Sequence, residues 1–198
     1  MNRFQPRIAS QSRTTSETDV SVTVNIDGSG RATVNTGIGF LDHMFTALAR
    51  HSGFDIDLSC TGDTHIDCHH SAEDCAMVLG RTIHAALGER AGIERFGDAI
   101  VPMDEALARA AVDLSGRPWP AVDLGLQREM LGGIACENLT HVLTTLAIEL
   151  RAAVHIDVLK GRNDHHRSEA AFKALAIALR RAVTRTHSDG VPSTKGVL

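Results

Sequence analysis

The chain has 198 residues, of which 43% are hydrophobic, and its formal net charge is −4. This length suits one large domain or two small fused halves. The mild charge, without a long basic run, argues against nucleic-acid binding, and no apolar run approaches the ~20 residues that a membrane span needs.

The first half of the chain predicts two strands, a helix, a strand and a helix. Residues 20–26 alternate between apolar and polar, and the turn residues that follow predict that 31–36 return as the second arm of a hairpin. Apolar residues at helical spacing predict a helix over 41–51, which Gly53 ends. A strand over 54–60 and a helix over 72–87 complete this half.

The second half predicts the same order, with strands at 108–114 and 121–126, a helix at 136–151, a strand at 153–159 and a helix at 166–186. We therefore predict an α+β fold of duplicated split β-α-β half-domains, β-β-α-β-α twice, whose helices cover one face of each sheet. Within the single unit 1–198, pseudo-repeat 1 spans about 8–92 and pseudo-repeat 2 about 93–190. The polar opening at 10–19 and the tail at 191–198 are predicted to be mobile.

The four cysteines and the polar start of the chain lead us to expect a reduced, cytoplasmic protein. None of the cysteines shows CxxC spacing, which favours free thiols. Residues 1–18 lack the apolar core of a secretion signal.

One unusual element occurs twice. Residues 67–74 read Asp-Cys-His-His-Ser-Ala-Glu-Asp, and residues 163–170 read Asn-Asp-His-His-Arg-Ser-Glu-Ala. Further landmarks recur in the same order: 43–49 matches 141–147, and 62–63 matches 161–162. Imidazole and carboxylate are ligands that first-row transition metals take from proteins. The duplicated element therefore predicts two related metal sites.

Helix geometry limits how each copy can bind a metal. Positions i and i+4 share a face, whereas adjacent positions point about 100° apart. Each His-x-x-x-Glu pair can therefore hold one ion, while the other histidine of its copy points elsewhere. We predict an exchange, expected between subunits, that gives two sites: His69, Glu73 and His166 with His43 or His141, and His165, Glu169 and His70 with the other of these two.

Three nitrogens and one oxygen leave two positions of an octahedron open for substrate or water. Such a site suits manganese, iron, cobalt or nickel better than it suits a closed structural zinc site.

At this point the residues identify a resemblance. The chain resembles the imidazoleglycerol-phosphate dehydratase family in segments spread over nearly its whole length: 13–18, 37–44, 62–74, 95–97, 102–106, 113–118, 163–169 and 193–196. Two departures are Cys68, where the family usually has aspartate, and Arg167-Ser168, where apolar residues are usual. Neither falls on an expected ligand.

The resemblance implies a cubic homo-oligomer of 24 subunits with two Mn²⁺ ions per active site, and active sites at subunit interfaces. It implies the dehydration of imidazole glycerol phosphate, a small phosphorylated imidazole, to imidazole acetol phosphate in histidine biosynthesis. The implied metal ligands are the eight positions above: His43, His69, His70, Glu73, His141, His165, His166 and Glu169.

The resemblance also implies residue roles. Catalytic roles fall on Glu17, His43, His70, Glu73, His166 and Glu169. Substrate contacts fall on Glu17, His43, His51, His69, Glu73, Arg95, Arg117, His165, Lys173, Ser193 and Lys195.

Our mechanistic hypothesis uses the imidazole ring of the substrate as the electron sink. If metal ions bind both ring nitrogens, the ring becomes an imidazolate that can expel hydroxide through a diazafulvene-like intermediate. Glu17 is the candidate acid/base. Arg95 and Arg117 are candidates for the phosphate, because guanidinium groups match phosphate oxygens, and Ser193 and Lys195 are further candidates.

Two other classes of protein compete with this interpretation. The first is a dinuclear metallohydrolase of phosphate esters, although such sites usually use bridging carboxylates and metals ~3.5–4 Å apart. The second is a metal-storage or metal-scaffold oligomer, which would not need Glu17, Arg95, Arg117 or Lys195.

Overall fold

A computed structural model describes residues 6–188 and 190–196. In chain order, the elements of the first half are β1 (Ile8–Thr14), β2 (Thr18–Asn25), β3 (Ala32–Asn35), α1 (Gly39–Ser52), β4 (Asp55–Gly62) and α2 (His69–Leu87). Those of the second half are β5 (Phe96–Met103), β6 (Ala106–Asp113), β7 (Trp119–Asp123), β8 (Met130–Leu131), β9 (Ile134–Ala135), α3 (Cys136–Leu150), β10 (Ala153–Lys160) and α4 (Asp164–Ala182).

Each half contains a four-stranded sheet of the same topology. The strand orders are β1-β2-β4-β3 and β5-β6-β10-β7, and β8 pairs with β9 in a short separate hairpin. β3 runs parallel to β4, and β7 runs parallel to β10, each pair being joined through a helix. The other pairings in the two large sheets are antiparallel. The predicted α+β class is confirmed, although β1 and β5 give each large sheet one strand more than predicted, and the β8–β9 hairpin was not predicted.

The hydrophobic core lies where the helices meet the sheets and one another. In β2, Val20, Val22 and Val24 are buried while Ser21 and Thr23 are exposed, the period-2 pattern of a strand with one covered face. The helices of the two halves also pack together, α1 against α4 and α2 against α3. One core therefore joins both halves. Among the described residues, no helix is both long and apolar enough to cross a membrane.

The prediction of a mobile opening at residues 10–19 is wrong. Residues 8–14 form β1, an edge strand paired with β2 along its whole length. Ser10 and Ser12 lie on its exposed face, and five of its seven residues are exposed in all. Because no apolar face marks such a strand in the sequence, only the hydrogen bonds to β2 reveal it.

The prediction that 31–36 returns as a hairpin arm is also wrong. β4 lies between β2 and β3, so β3 pairs with β4 instead of β2. Asp55, the first residue of β4, accepts hydrogen bonds from the backbone amides of Ser29 and Arg31 and holds the connection in place. The turn residues are thus part of a longer connection that leads through β3 into the helix crossover.

Gly97 should tolerate no side chain, because β5 lies close against α4. A Cβ atom at Gly97 would lie 2.0 Å from the carbonyl oxygen of Ala178 and 2.7 Å from the amide nitrogen of Ala182. We expect Gly97→Ala to lower the free energy of unfolding by about 1–3 kcal/mol, the usual range for overpacking. Urea denaturation of the metal-free protein measures this change.

Gly39→Ala is the matched control, because a Cβ atom at Gly39 meets nothing within 4 Å. Its free energy of unfolding should stay close to that of the unsubstituted protein. Equal stability of the two variants would contradict the close approach of β5 and α4.

Candidate metal centres

Within residues 6–188 and 190–196, two groups of histidine and glutamate side chains are arranged so that they could hold a metal ion. The first group is His69, Glu73 and His141, and the second is His43, His165 and Glu169. In each group, one ligand atom per residue lies within 4.8 Å of the other two. We call these groups the first and the second cluster.

The first cluster forms where the start of α2 meets α3. His141 Nε2 lies 3.0 Å from Glu73 Oε1, and His69 Nε2 lies 4.0 Å from Glu73 Oε2. The imidazole rings of His69 and His141 stack, with centroids 5.1 Å apart and planes 21° apart. A groove of about 410 Å³ beside these rings is lined by both histidines and by Asn138. The cluster is therefore open to a ligand of the size of a small metabolite.

The second cluster forms where the start of α4 meets α1. Glu169 Oε2 lies 3.1 Å from His43 Nε2 and 3.2 Å from His165 Nε2. The centroids of the two imidazole rings are 5.6 Å apart, and Phe40 contacts both rings edge-on. Three ligand atoms thus converge on one point here as well.

Helix packing resolves a choice that the sequence left open. Because α2 packs on α3, His141 joins His69 and Glu73. Because α1 packs on α4, His43 joins His165 and Glu169. Each pair at i and i+4 comes from the helix that closes its half, and the additional histidine comes from a helix of the other half.

Lys173 adds a positive charge to the second cluster. Its Nζ lies 2.7 Å from Glu169 Oε1, one helical turn away. Burial alone would raise the pKa of Glu169, but Lys173 and His43 outweigh it and bring this pKa to about 2. Glu169 is therefore ionised at neutral pH, as a carboxylate that binds a metal must be. His51 lies at the end of α1, close to Lys173. Burial lowers the pKa of His51, and the positive charge of Lys173 lowers it further.

His70 and His166 stand outside both clusters. His70 Nδ1 lies 3.0 Å from Asp63 Oδ2, and His166 Nδ1 lies 2.7 Å from Glu105 Oε2. These hydrogen bonds raise the pKa of both histidines, and the contact with His166 lowers the pKa of Glu105 to about 2. The prediction that the two histidines complete clusters of neighbouring subunits stays a prediction.

Glu17 lies in the turn between β1 and β2, close to the start of α2. Its Oε2 is 3.9 Å from His70 Nδ1, and its side chain is 52% exposed. The turn itself is well ordered by hydrogen bonds: the amides of Glu17 and Thr18 donate to the side chain of Thr15, and the amide of Asp63 donates to the carbonyl of Glu17. Glu17 is thus held in place while its carboxylate remains accessible.

Arg95, a predicted phosphate ligand, lies at the end of α4 remote from the second cluster of the same chain. Arg95 donates its backbone amide to Ala182 at the end of α4, about 20 Å along the helix from Glu169. Its guanidinium group is paired with Asp113 and also donates to the carbonyl of Pro192. This second bond ties down the tail that carries Ser193 and Lys195. Arg117 is exposed on the loop after β6.

The sequence interpretation missed three polar residues that hold imidazoles. Asp63 and Glu105 contact His70 and His166, and Asn138 Oδ1 lies 3.0 Å from His69 Nδ1. Asn138 lies three residues before His141, on the same face of α3. That spacing is the only signal in the sequence that could have found it.

The residues present fit a transition metal. Each cluster offers two imidazole nitrogens and one carboxylate oxygen, the donors that suit first-row divalent ions. In the first cluster, Asn138 can accept the Nδ1 proton of His69, which leaves Nε2 free as a metal ligand. Three protein donors per cluster leave room for a further protein ligand and for substrate.

The chain is similar to known proteins along most of its length. The family model for imidazoleglycerol-phosphate dehydratase matches residues 36–179. A protein of that name from Chlorobium luteolum is 52% identical over 193 residues, covering 98% of this chain and 96% of that protein. One from Phytophthora nicotianae is 56% identical over 192 residues, and there the match covers 97% of this chain but 42% of the relative.

Two solved structures share the fold. The crystal structure of imidazoleglycerol-phosphate dehydratase from Staphylococcus aureus gives a TM-score of 0.82 at 35% identity, covering 90% of this chain and 99% of that one. That from Pyrococcus furiosus in complex with (S)-C348 gives a TM-score of 0.80 at 41% identity, covering 95% and 100%.

Proposed function

The chain belongs to the imidazoleglycerol-phosphate dehydratase family of hydro-lyases, and we propose that it binds Mn²⁺ at its two clusters and dehydrates imidazole glycerol phosphate to imidazole acetol phosphate. The observation that carries the proposal is the pair of histidine–glutamate clusters in equivalent positions of the two halves. Two separate centres suit a substrate ring with two nitrogen atoms. The reaction belongs to histidine biosynthesis. The four free cysteines are consistent with a cytoplasmic enzyme.

We infer two manganese ions per active site. As Lewis acids on the imidazole ring they would increase its capacity to accept electrons as the hydroxyl group leaves. Open coordination positions at each cluster leave access for the substrate. The choice of manganese rests on availability in the cell, since the Irving–Williams order favours other ions for the same ligands.

Glu17 is the proposed acid/base. Its carboxylate is half exposed and stands beside His70, and the ordered turn fixes its backbone. A carboxylate held in this way can take the proton from the carbon of the substrate and return a proton elsewhere. Lys173 holds Glu169 ionised, so the second cluster keeps its negative charge.

We further propose that complete active sites form between subunits of a homo-oligomer, with 24 subunits as the family resemblance implies. The position of Arg95 supports this proposal, because its backbone contacts Ala182, about 20 Å along α4 from Glu169 of the same chain. The positions of His70 and His166, outside both clusters of their own chain, support it as well.

A product assay tests the proposed function. Manganese-loaded protein is incubated with imidazole glycerol phosphate, and both the ketone product and free phosphate are measured. We expect the ketone without phosphate release. Phosphate release without ketone would favour a metallohydrolase, and the absence of both would favour a metal scaffold.

Arg117→Ala should raise the KM for substrate at least 10-fold while manganese content stays constant. Arg117 is exposed on the loop after β6. A hydrogen bond between a guanidinium group and a phosphate contributes about 1.5–3 kcal/mol, and each ~1.4 kcal/mol changes the affinity tenfold. Steady-state kinetics and metal analysis of the same sample measure both quantities. Arg109→Ala removes an exposed arginine that pairs with Asp157, and it is the matched control. An unchanged KM for Arg117→Ala would refute the role in phosphate binding.

A further inference from the structure

The two halves correspond at the turn before β2 and β6 and at the histidines that stand outside the clusters. Thr18 pairs with Gly62 across β2 and β4, and Ala106 lies against Gly161 in the second half. Because Glu17 and Glu105 directly precede Thr18 and Ala106, the two glutamates occupy equivalent turns. His70 and His166 are equivalent through the duplicated His-His element, and position 63 corresponds to position 162.

The equivalent glutamates have different contacts. Glu105 Oε2 lies 2.7 Å from His166 Nδ1. Glu105 Oε1 accepts hydrogen bonds of 3.0 and 2.9 Å from the backbone amides of Arg162 and Asn163. Glu17 Oε2 stands 3.9 Å from His70 Nδ1, beyond hydrogen-bond distance. The second half thus uses its turn glutamate to hold the histidine, and the first half does not.

Asp63 takes over this contact in the first half. Its Oδ2 lies 3.0 Å from His70 Nδ1, the atom that Glu105 contacts in the equivalent histidine. The corresponding residue of the second half is Arg162, which has no carboxylate to offer. The carboxylate that holds the histidine therefore comes from the turn in one half and from the residue after β4 in the other.

We propose that Glu105 and Asp63 are positioning residues that orient His166 and His70 as metal ligands, and that Asp63 thereby releases Glu17 for proton transfer. A carboxylate that accepts the Nδ1 proton fixes the tautomer in which Nε2 can bind a metal. This inference rests on the proposed function. It adds that Glu105 orients a histidine, whereas the equivalent Glu17 is left free for proton transfer.

Glu105→Gln is a sharp test because the backbone fixes the orientation of the new amide. The amides of Arg162 and Asn163 need an acceptor, so the oxygen of the glutamine side chain faces them and its NH₂ group faces His166. His166 Nδ1 must then accept a hydrogen bond, which leaves the proton on Nε2 and blocks metal binding there. We expect the affinity for Mn²⁺ to fall about 10–100-fold, as is usual when such a partner is lost.

The readout is the affinity of metal-stripped protein for Mn²⁺, measured from free Mn²⁺ by electron paramagnetic resonance. Glu17→Gln should leave this affinity within about 2-fold of that of the unsubstituted protein, since Glu17 does not hold His70. Asp63→Ala should lower it as Glu105→Gln does. Asp98→Asn is the control for loss of charge, because Asp98 is 78% exposed and lies 3.7 Å from Arg181, outside both clusters.

An unchanged affinity in Glu105→Gln, or an equal loss in Glu17→Gln, would overturn the inference. Thermal unfolding of the metal-free variants shows whether each is folded as the unsubstituted protein is. If the unsubstituted protein itself binds no Mn²⁺, the proposed function fails instead. The two failures are therefore distinguishable in one titration series.

Discussion

Glu17→Gln is expected to lower kcat by about 10²-fold or more, the usual contribution of a general acid or base. The substitution keeps the shape of the side chain and removes its capacity to accept a proton. The turn that carries Glu17 is fixed by backbone and Thr15 hydrogen bonds that do not involve the carboxylate. Its geometry should therefore survive, and the loss should appear in kcat.

Steady-state kinetics together with metal analysis separate this role from a structural one. Manganese content should equal that of the unsubstituted protein, because Glu17 belongs to neither cluster. Glu89→Gln is a control for the loss of one negative charge, because Glu89 is exposed in the turn after α2. Turnover near the normal rate in Glu17→Gln would remove Glu17 from the chemistry.

Glu169→Gln is expected to have the largest effect of any single substitution. Glu169 is the only carboxylate of the second cluster, it is 7% exposed, and its oxygen lies within 3.2 Å of both imidazoles. A neutral amide is a weaker ligand for a divalent ion. We expect one manganese per chain to be lost and kcat to fall by about 10³-fold or more, since a Lewis acid supplies several kcal/mol to the transition state.

The measurement is manganese stoichiometry by elemental analysis, with kcat on the same preparation. Glu149→Gln is the matched control, because Glu149 is a helical glutamate that pairs with Arg81 away from both clusters. It should keep two ions per chain and normal turnover. Full manganese content in Glu169→Gln would contradict the assignment of the second cluster.

The parts of the fold that the sequence predicted are those with a strong hydrophobic period. α1 ends just before Gly53, whose φ of 79° is the left-handed conformation that favours glycine, as the sequence indicates. β1 escaped prediction because its polar residues have no apolar face to mark it. The pairing of β3 was mispredicted because pairing depends on where β4 inserts, and β4 lies a whole helix later in the chain.

The candidate site shows the same division between local and distant information. Spacing along one helix predicted the pairs His69–Glu73 and His165–Glu169, because i and i+4 are neighbours whatever surrounds the helix. The additional histidine of each cluster could not be assigned, since it depends on which helices pack together. The partners of His70 and His166 come from turns 7 and 61 residues away along the chain, and no local pattern points to them.

We propose that the incomplete clusters on one chain become complete metal sites when chains associate. Sedimentation velocity of metal-free and manganese-loaded protein, with bound manganese measured in each sample, tests this proposal. We expect the binding of two ions per chain to convert a small species into a much larger assembly. Binding of two ions per chain with no change in mass would contradict it.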